Sequence, residues 1–192
     1  MRTNPERRQA LLDAAIEVLA DDGARGLTFR AVDKQAGVPA GTASNYFANR
    51  DDLLIQVGGR FYERVHPGDE ALARLGEDPK NREAIVELLT ETVARLTAFR
   101  TGYLALLELR LEATRRPELQ TMLTERVRAD LDMNIATHLE SGLPGDATAV
   151  RLLYLSLNWL ILERLTLPGI FTDAESRALV RAAVERAIPA EG

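Results

Sequence analysis

The chain has 192 residues, 46% of them hydrophobic, with a net charge of −5. That composition excludes a disordered chain and provides for one full core plus a small additional domain. The absence of cysteine excludes disulfides, thiol chemistry and thiolate metal sites.

A first helix is predicted over residues 4–21. Ala10, Leu11, Ala14, Ala15, Val18 and Leu19 form its apolar stripe, and Gly23 stops it. The polar start MRTNPERRQ has no apolar core of a secretory signal, so a cytoplasmic protein is expected. A second helix is predicted over 29–35. Thr28 suits its N-cap, because the hydroxyl accepts from free N–H groups of the next turn. Phe29, Val32 and Ala36 face one side, and Gly37 suits the left-handed residue after the helix. A third helix is predicted over 39–46, with Pro39 in its first turn. It is short and polar: Ala40, Gly41, Thr42, Ala43, Ser44 and Asn45. Gly41 inside a helix costs about 1 kcal/mol relative to Ala, which points to close backbone approach there. A fourth helix is predicted over 50–65, with Asn49 or Asp51 as its cap. Arg50 at its start opposes the helix dipole, an arrangement that makes sense beside a phosphate.

Helix–Gly–helix alone fits a plain helical hairpin. The small polar third helix adds a reason to expect DNA. Short side chains enter a groove, Thr and Ser reach bases or phosphates, and Asn can pair bidentately with adenine. Gly37-Val38, Gly41-Thr42, Tyr46-Phe47, Arg50-Asp51 and Leu53-Leu54 then resemble the signature of TetR-type transcriptional regulators. So does the upstream helix ending in Asp22-Gly23, four residues before Leu27-Thr28. The specific resemblance covers residues 7–54. Three positions depart from it. Asp33 stands where the family usually has Ala, Ser44 where many members have Tyr, and Ala40 where many have Lys or another polar residue. Fewer long-reach base contacts are therefore expected.

The resemblance implies an all-α protein. A three-helix helix-turn-helix domain is expected over 1–50, followed by a helical ligand-binding and dimerisation domain over 51–192. The expected DNA contacts are Thr28, Arg30, Ala40, Gly41, Thr42, Ser44, Asn45, Tyr46 and Arg50. Thr42, Ser44 and Asn45 are expected at base edges, and Thr28, Arg30, Tyr46 and Arg50 at phosphates. Charge adds little. Residues 1–50 carry seven basic side chains (Arg2, Arg7, Arg8, Arg25, Arg30, Lys34, Arg50) against six acidic ones, a balance of +1. Arg2, Arg7, Arg8, Arg30 and Arg50 could gather on one face.

Further helices are predicted over 69–75, 79–99, 102–115, 117–140, 146–167 and 173–187, separated by Pro- and Gly-containing stretches. The 50–65 helix links reader and body, and His66-Pro67-Gly68 after it suits a pivot. The charge-free run 152–162 has eleven residues, short of the roughly 20 a membrane span needs. No membrane association is expected. A helix apolar on nearly every side must bury every side. Tyr154, Leu157, Leu160 and Ile161, with Leu179, Ala182 and Ala183 of the last helix, are the expected homodimer interface. Full enclosure within one chain is the bland alternative. Phe99, Tyr103, Leu106, Leu107, Arg110, Met122, Arg126, Met133 and Trp159 are the expected lining of a pocket for a small-molecule effector. Arg110 in such a wall would need a carboxylate partner. Each of these apolar residues, taken singly, fits a plain core equally.

Enzyme readings are weak. His66 and His138 are the only histidines, and neither has a helical metal partner at four-residue spacing. Glu87, Glu91, Glu108 and Glu112 lack the Glu-x-x-His pattern of di-metal bundles and read as salt-bridging faces. No cofactor is expected. The expected function is a ligand-responsive repressor that binds double-stranded operator DNA as a homodimer. The alternative is a helical interaction or scaffold protein without a specific operator.

Overall fold

The computed structural model describes residues 4–65 and 81–188. Among the described residues every regular element is helical. The elements are α1 (Pro5–Gly26), α2 (Phe29–Gln35), a 3₁₀ turn (Ala43–Asn45), α3 (Arg50–Val65), α4 (Arg82–Ala98), α5 (Arg100–Ala113), α6 (Pro117–Ser141), α7 (Ala147–Thr166) and α8 (Asp173–Ala187). The expected 69–75 helix and the Pro67-Gly68 break lie outside the described residues.

Local chemistry explains the element ends. The Asn4 side chain accepts from Arg7 N–H and Thr28 from Ala31 N–H, so both early helices are capped as polar N-caps should be. The backbone of α1 breaks at Gly23, and a final turn continues to Gly26. Asp146 caps α7 through Thr148 and Ala149 N–H, and this holds its carboxyl below the usual aspartate range. Thr172 and Glu175 form a reciprocal capping box at α8.

The chain divides into two compact units. One comprises residues 4–65 with 99–125, the other 81–98 with 126–188. This division differs from a cut at residue 50, because α1 packs along α5 as well as on α2 and α3. In the first unit Leu11, Ile16, Leu19, Leu27, Phe47, Leu53, Leu54, Leu109 and Leu119 are fully buried. The Arg60 guanidinium donates to both carboxylate oxygens of Asp13, tying α3 to α1. In the second unit α4, α7 and α8 meet around Val86, Leu153, Val184 and Ile188. No helix among the described residues is long and apolar enough to cross a membrane.

Candidate nucleic-acid interface

The expected helix over 39–46 is a turn over its first half and a single 3₁₀ turn, Ala43–Asn45, over its second. The reason lies at Gly41, whose φ of +88° is incompatible with a helix interior. A Cβ there would meet nothing within 4 Å, so the glycine serves conformation and not close approach. Gly37, with φ +64°, is the left-handed residue that ends α2 as expected.

This turn presents Ala40, Gly41, Ser44 and Asn45 as exposed residues, with Thr42 and Tyr46 half-buried. Thr28 and Arg30 at the start of α2 are also exposed. Ala43 and Phe47 point inward and are buried, which fixes the turn against the core. The polar side chains make local bonds. Thr42 Oγ1 donates to Pro39 O at 2.6 Å. Ser44 Oγ and Asn45 Nδ2 both donate to Gly41 O, at 2.8 and 3.0 Å. Asn45 keeps its carbonyl oxygen and a second N–H, the pair of groups that adenine requires.

Arg50 is differently employed. Its guanidinium donates to Leu27 O and Ala24 O, and it lies 3.8 Å from the Glu112 carboxylate. The cation at the start of α3 is thus matched by backbone carbonyls and a carboxylate of this chain, and the expected phosphate is not needed to explain it. Arg8 is similarly engaged, donating to Gln56 at 2.8 Å and lying over the Phe47 ring. Of the arginines expected to gather on one face, Arg7 and Arg30 are exposed, Arg8 and Arg50 bond within the chain, and Arg2 lies outside the described residues.

Glu112 of α5 carries the salt bridge expected of that helix face, to Arg115, and the two carboxylates Glu108 and Glu112 also make contacts with the helix-turn-helix that local spacing does not show. Glu108 accepts from Ala24 N–H at 2.8 Å, capping the last turn of α1 after its break. Glu112, buried, accepts from Arg115 and Arg116 at 2.8 and 2.9 Å. Those bonds hold its carboxyl below the usual glutamate range despite desolvation. Arg116 also reaches Asp51 at the start of α3. Two carboxylates on one face of α5 therefore grip the frame of the helix-turn-helix. Their four-residue spacing and the nearby Arg115 are visible in the sequence; the contacts of Glu108 with Ala24 and of Glu112 with Arg50, more than 60 residues away, are not.

The nine residues expected to line an effector pocket fall into both units. Phe99, Tyr103, Leu106, Leu107, Arg110 and Met122 belong to the first; Arg126, Met133 and Trp159 belong to the second. Phe61, Phe99 and Tyr103 form an aromatic cluster, with ring centroids 6.1 and 6.4 Å from Phe61, and Arg64 lies 4.0 Å over Phe99. Arg110 is exposed, so it requires no buried carboxylate. Met133 and Trp159 are exposed as well, at 50% and 64%. An open cleft of about 420 Å³ in the second unit is lined by Arg128, Leu131, Asp132, Ile135 and Arg151, none of them among the nine.

The expected dimer residues also divide. Leu160 and Ile161 are buried inside the chain, on the face of α7 that carries Leu153 and Leu165. Tyr154, Leu157, Ala182 and Ala183 are half-buried, and Leu179 is exposed. The apolar face left open on α7 is instead Leu152, Leu155 and Trp159, each about 60% exposed and spaced three and four residues apart.

The helical frame and the polar turn held on it define a helix-turn-helix protein. The comparisons with known proteins fix the family. Residues 11–57 match the family described as bacterial regulatory proteins of the tetR family, and residues 80–190 match the tetracyclin repressor-like C-terminal domain. The chain belongs to the TetR family and is a DNA-binding transcriptional regulator. It is 29% identical over 152 residues to the transcriptional regulator BetI of Rhizobium meliloti, covering 74% of this chain and 68% of that one. It is 34% identical over 77 residues to the repressor KstR of Mycolicibacterium smegmatis, covering 40% and 38%. In structure it resembles a transcriptional regulator of Saccharomonospora viridis solved in complex with choline. The TM-score is 0.79 at 20% identity, over 96% of this chain and 98% of that one.

Proposed function

We propose that the chain is a ligand-responsive repressor that binds operator DNA as a homodimer. The observation that carries this reading is the attachment of α5 to the helix-turn-helix through Glu108 and Glu112. The same helix carries Tyr103 of the aromatic cluster, and Phe61 of that cluster lies near the end of α3. A small molecule that repacks this cluster shifts α5 or α3, and with either one the seat of the reading turn. That the fold can hold a small molecule is supported by the choline-bound regulator of Saccharomonospora viridis.

The exposed Leu152, Leu155 and Trp159 stripe, with Leu179, is the surface on which two copies would join. Two-fold assembly would pair two reading turns, which must sit about 34 Å apart to occupy successive grooves. A shift of a few ångströms per reader then loses many contacts together.

A ligand can move this equilibrium only by its difference in affinity for the two states, and the coupling is reciprocal. The test begins with a thermal-shift screen for binders. Each binder is then titrated with and without operator duplex. An effector binds about 5–150-fold more weakly in the presence of operator. Equal affinities across all good binders would remove the induction reading and leave DNA binding intact.

A further inference from the structure

Asp33 is 2% exposed, yet it lies on α2 directly behind the reading turn. Both of its carboxylate oxygens are occupied by that turn. Oδ2 accepts from Gly41 N–H and Oδ1 from Ala43 N–H, each at 2.7 Å. These are short, charge-assisted bonds to two backbone donors that have no partner in a helix just beginning. The other side of the Gly41 peptide is held too, since its carbonyl accepts from Ser44 and Asn45. Gly41 is therefore a hub: buried Asp33 holds its N–H, and two of the expected base-reading side chains hold its C=O.

We propose that Asp33 is the positioning residue for DNA reading, fixing the 3₁₀ turn in the conformation that presents Thr42, Ser44 and Asn45. The inference rests on the reading of that turn as the DNA-contacting segment. It also gives the family departure at Asp33 a physical reason. A side chain with two acceptors clamps the turn from behind, where Ala leaves it free to relax. Gly41 follows from the same device, because only a residue at ease with φ near +90° can point its N–H at Asp33 and its C=O toward Ser44 and Asn45. Asparagine cannot replace the clamp. It supplies one acceptor and turns an N–H donor toward the second backbone N–H. A preformed turn improves specific binding by reducing the ordering required on the DNA. Non-specific binding depends on phosphate charge and is insensitive to the turn.

The experiment compares wild type, Asp33→Asn and Asp33→Ala on a duplex selected by wild type from random DNA and on a random duplex. The specificity ratio of the two affinities is the readout, measured at equal folded fraction. The ratio is expected to fall about tenfold or more in both variants, with random-duplex affinity within about twofold of wild type. A residue acting only on stability would lower both affinities together and leave the ratio unchanged; that result overturns the proposal. Amide exchange in wild type provides the second measurement should a variant not fold. Gly41 and Ala43 N–H are expected to exchange slowly although Gly41 is exposed, and exchange at the rate of free amides would overturn the clamp. A wild type that selects no duplex removes the DNA reading of the turn, and with it this role; selection by wild type with an unchanged ratio in the variants removes only the role.

Discussion

The two units treat their apolar residues in opposite ways. Of the twelve largest fully buried side chains among the described residues, every one except Ile188 lies in the unit that carries the helix-turn-helix. The second unit buries a small cluster around Val184 and leaves Leu139, Leu152, Leu155, Trp159, Leu167, Ile170 and Leu179 exposed. The reader is thus a self-sufficient frame, rigid enough to hold a turn in register. Among its described residues the second unit carries more apolar surface than its own helices cover, which supports the proposed seam between two copies.

The largest expected effect breaks the comparison on the reader side. Phe47→Ala should destabilise the first unit by about 3–5 kcal/mol, since the ring is 1% exposed. Denaturant titration followed by circular dichroism measures this, and a loss under about 1 kcal/mol would contradict the self-sufficient frame. The matched test on the other side is Leu155→Glu. It should leave helix content intact and weaken self-association on the order of 30-fold or more. Sedimentation velocity across a concentration series reads that change, and an unaltered association constant would show that the stripe is not the seam.

Glu112→Gln sharpens the attachment between α5 and the reader. Removing the charge that Arg115, Arg116 and Arg50 share should cost about 1–2 kcal/mol at neutral pH. The wild-type Glu112 carboxyl is depressed in the folded state, so its contribution is complete above the ordinary glutamate value of about 4.3. It is lost as pH falls through the lower folded value. The variant should therefore show a shallower loss of stability below about pH 4, and identical acid limbs would contradict the role. The smallest effect is expected at the α8 cap, where Thr172→Ala removes one half of the capping box for about 1 kcal/mol. Thermal denaturation of the two chains side by side checks it.

The reader was legible to the extent that its signals were local. Thr28, Gly37 and the Arg50–Val65 helix are fixed by caps, turn glycines and apolar periodicity, all of which act over a few residues. The form of the reading turn was not. Pro39 and the small residues after it promise a helix, but Gly41, whose N–H bonds to Asp33 of α2, stands outside helical geometry. The intramolecular partners of Arg50 are hidden from the sequence for a similar reason. Its partners lie at Ala24, Leu27 and Glu112, and no local rule announces a contact 62 residues along the chain. In the second unit the apolar run of α7 was plain, but which side faces inward depends on packing against α4 and α8. The run has little periodicity of its own, so the sequence does not distinguish Leu160 and Ile161 from Leu152 and Leu155.

Selection of bound sequences from random duplex DNA, followed by a titration of the enriched site at moderate salt, tests the account most directly. A rigid reader on a self-associating body predicts two similar half-sites in inverted orientation, centres about 34 Å or a multiple apart, occupied by two chains per duplex. No enrichment over random duplex, or enrichment of a single unpaired site bound by one chain, would contradict it.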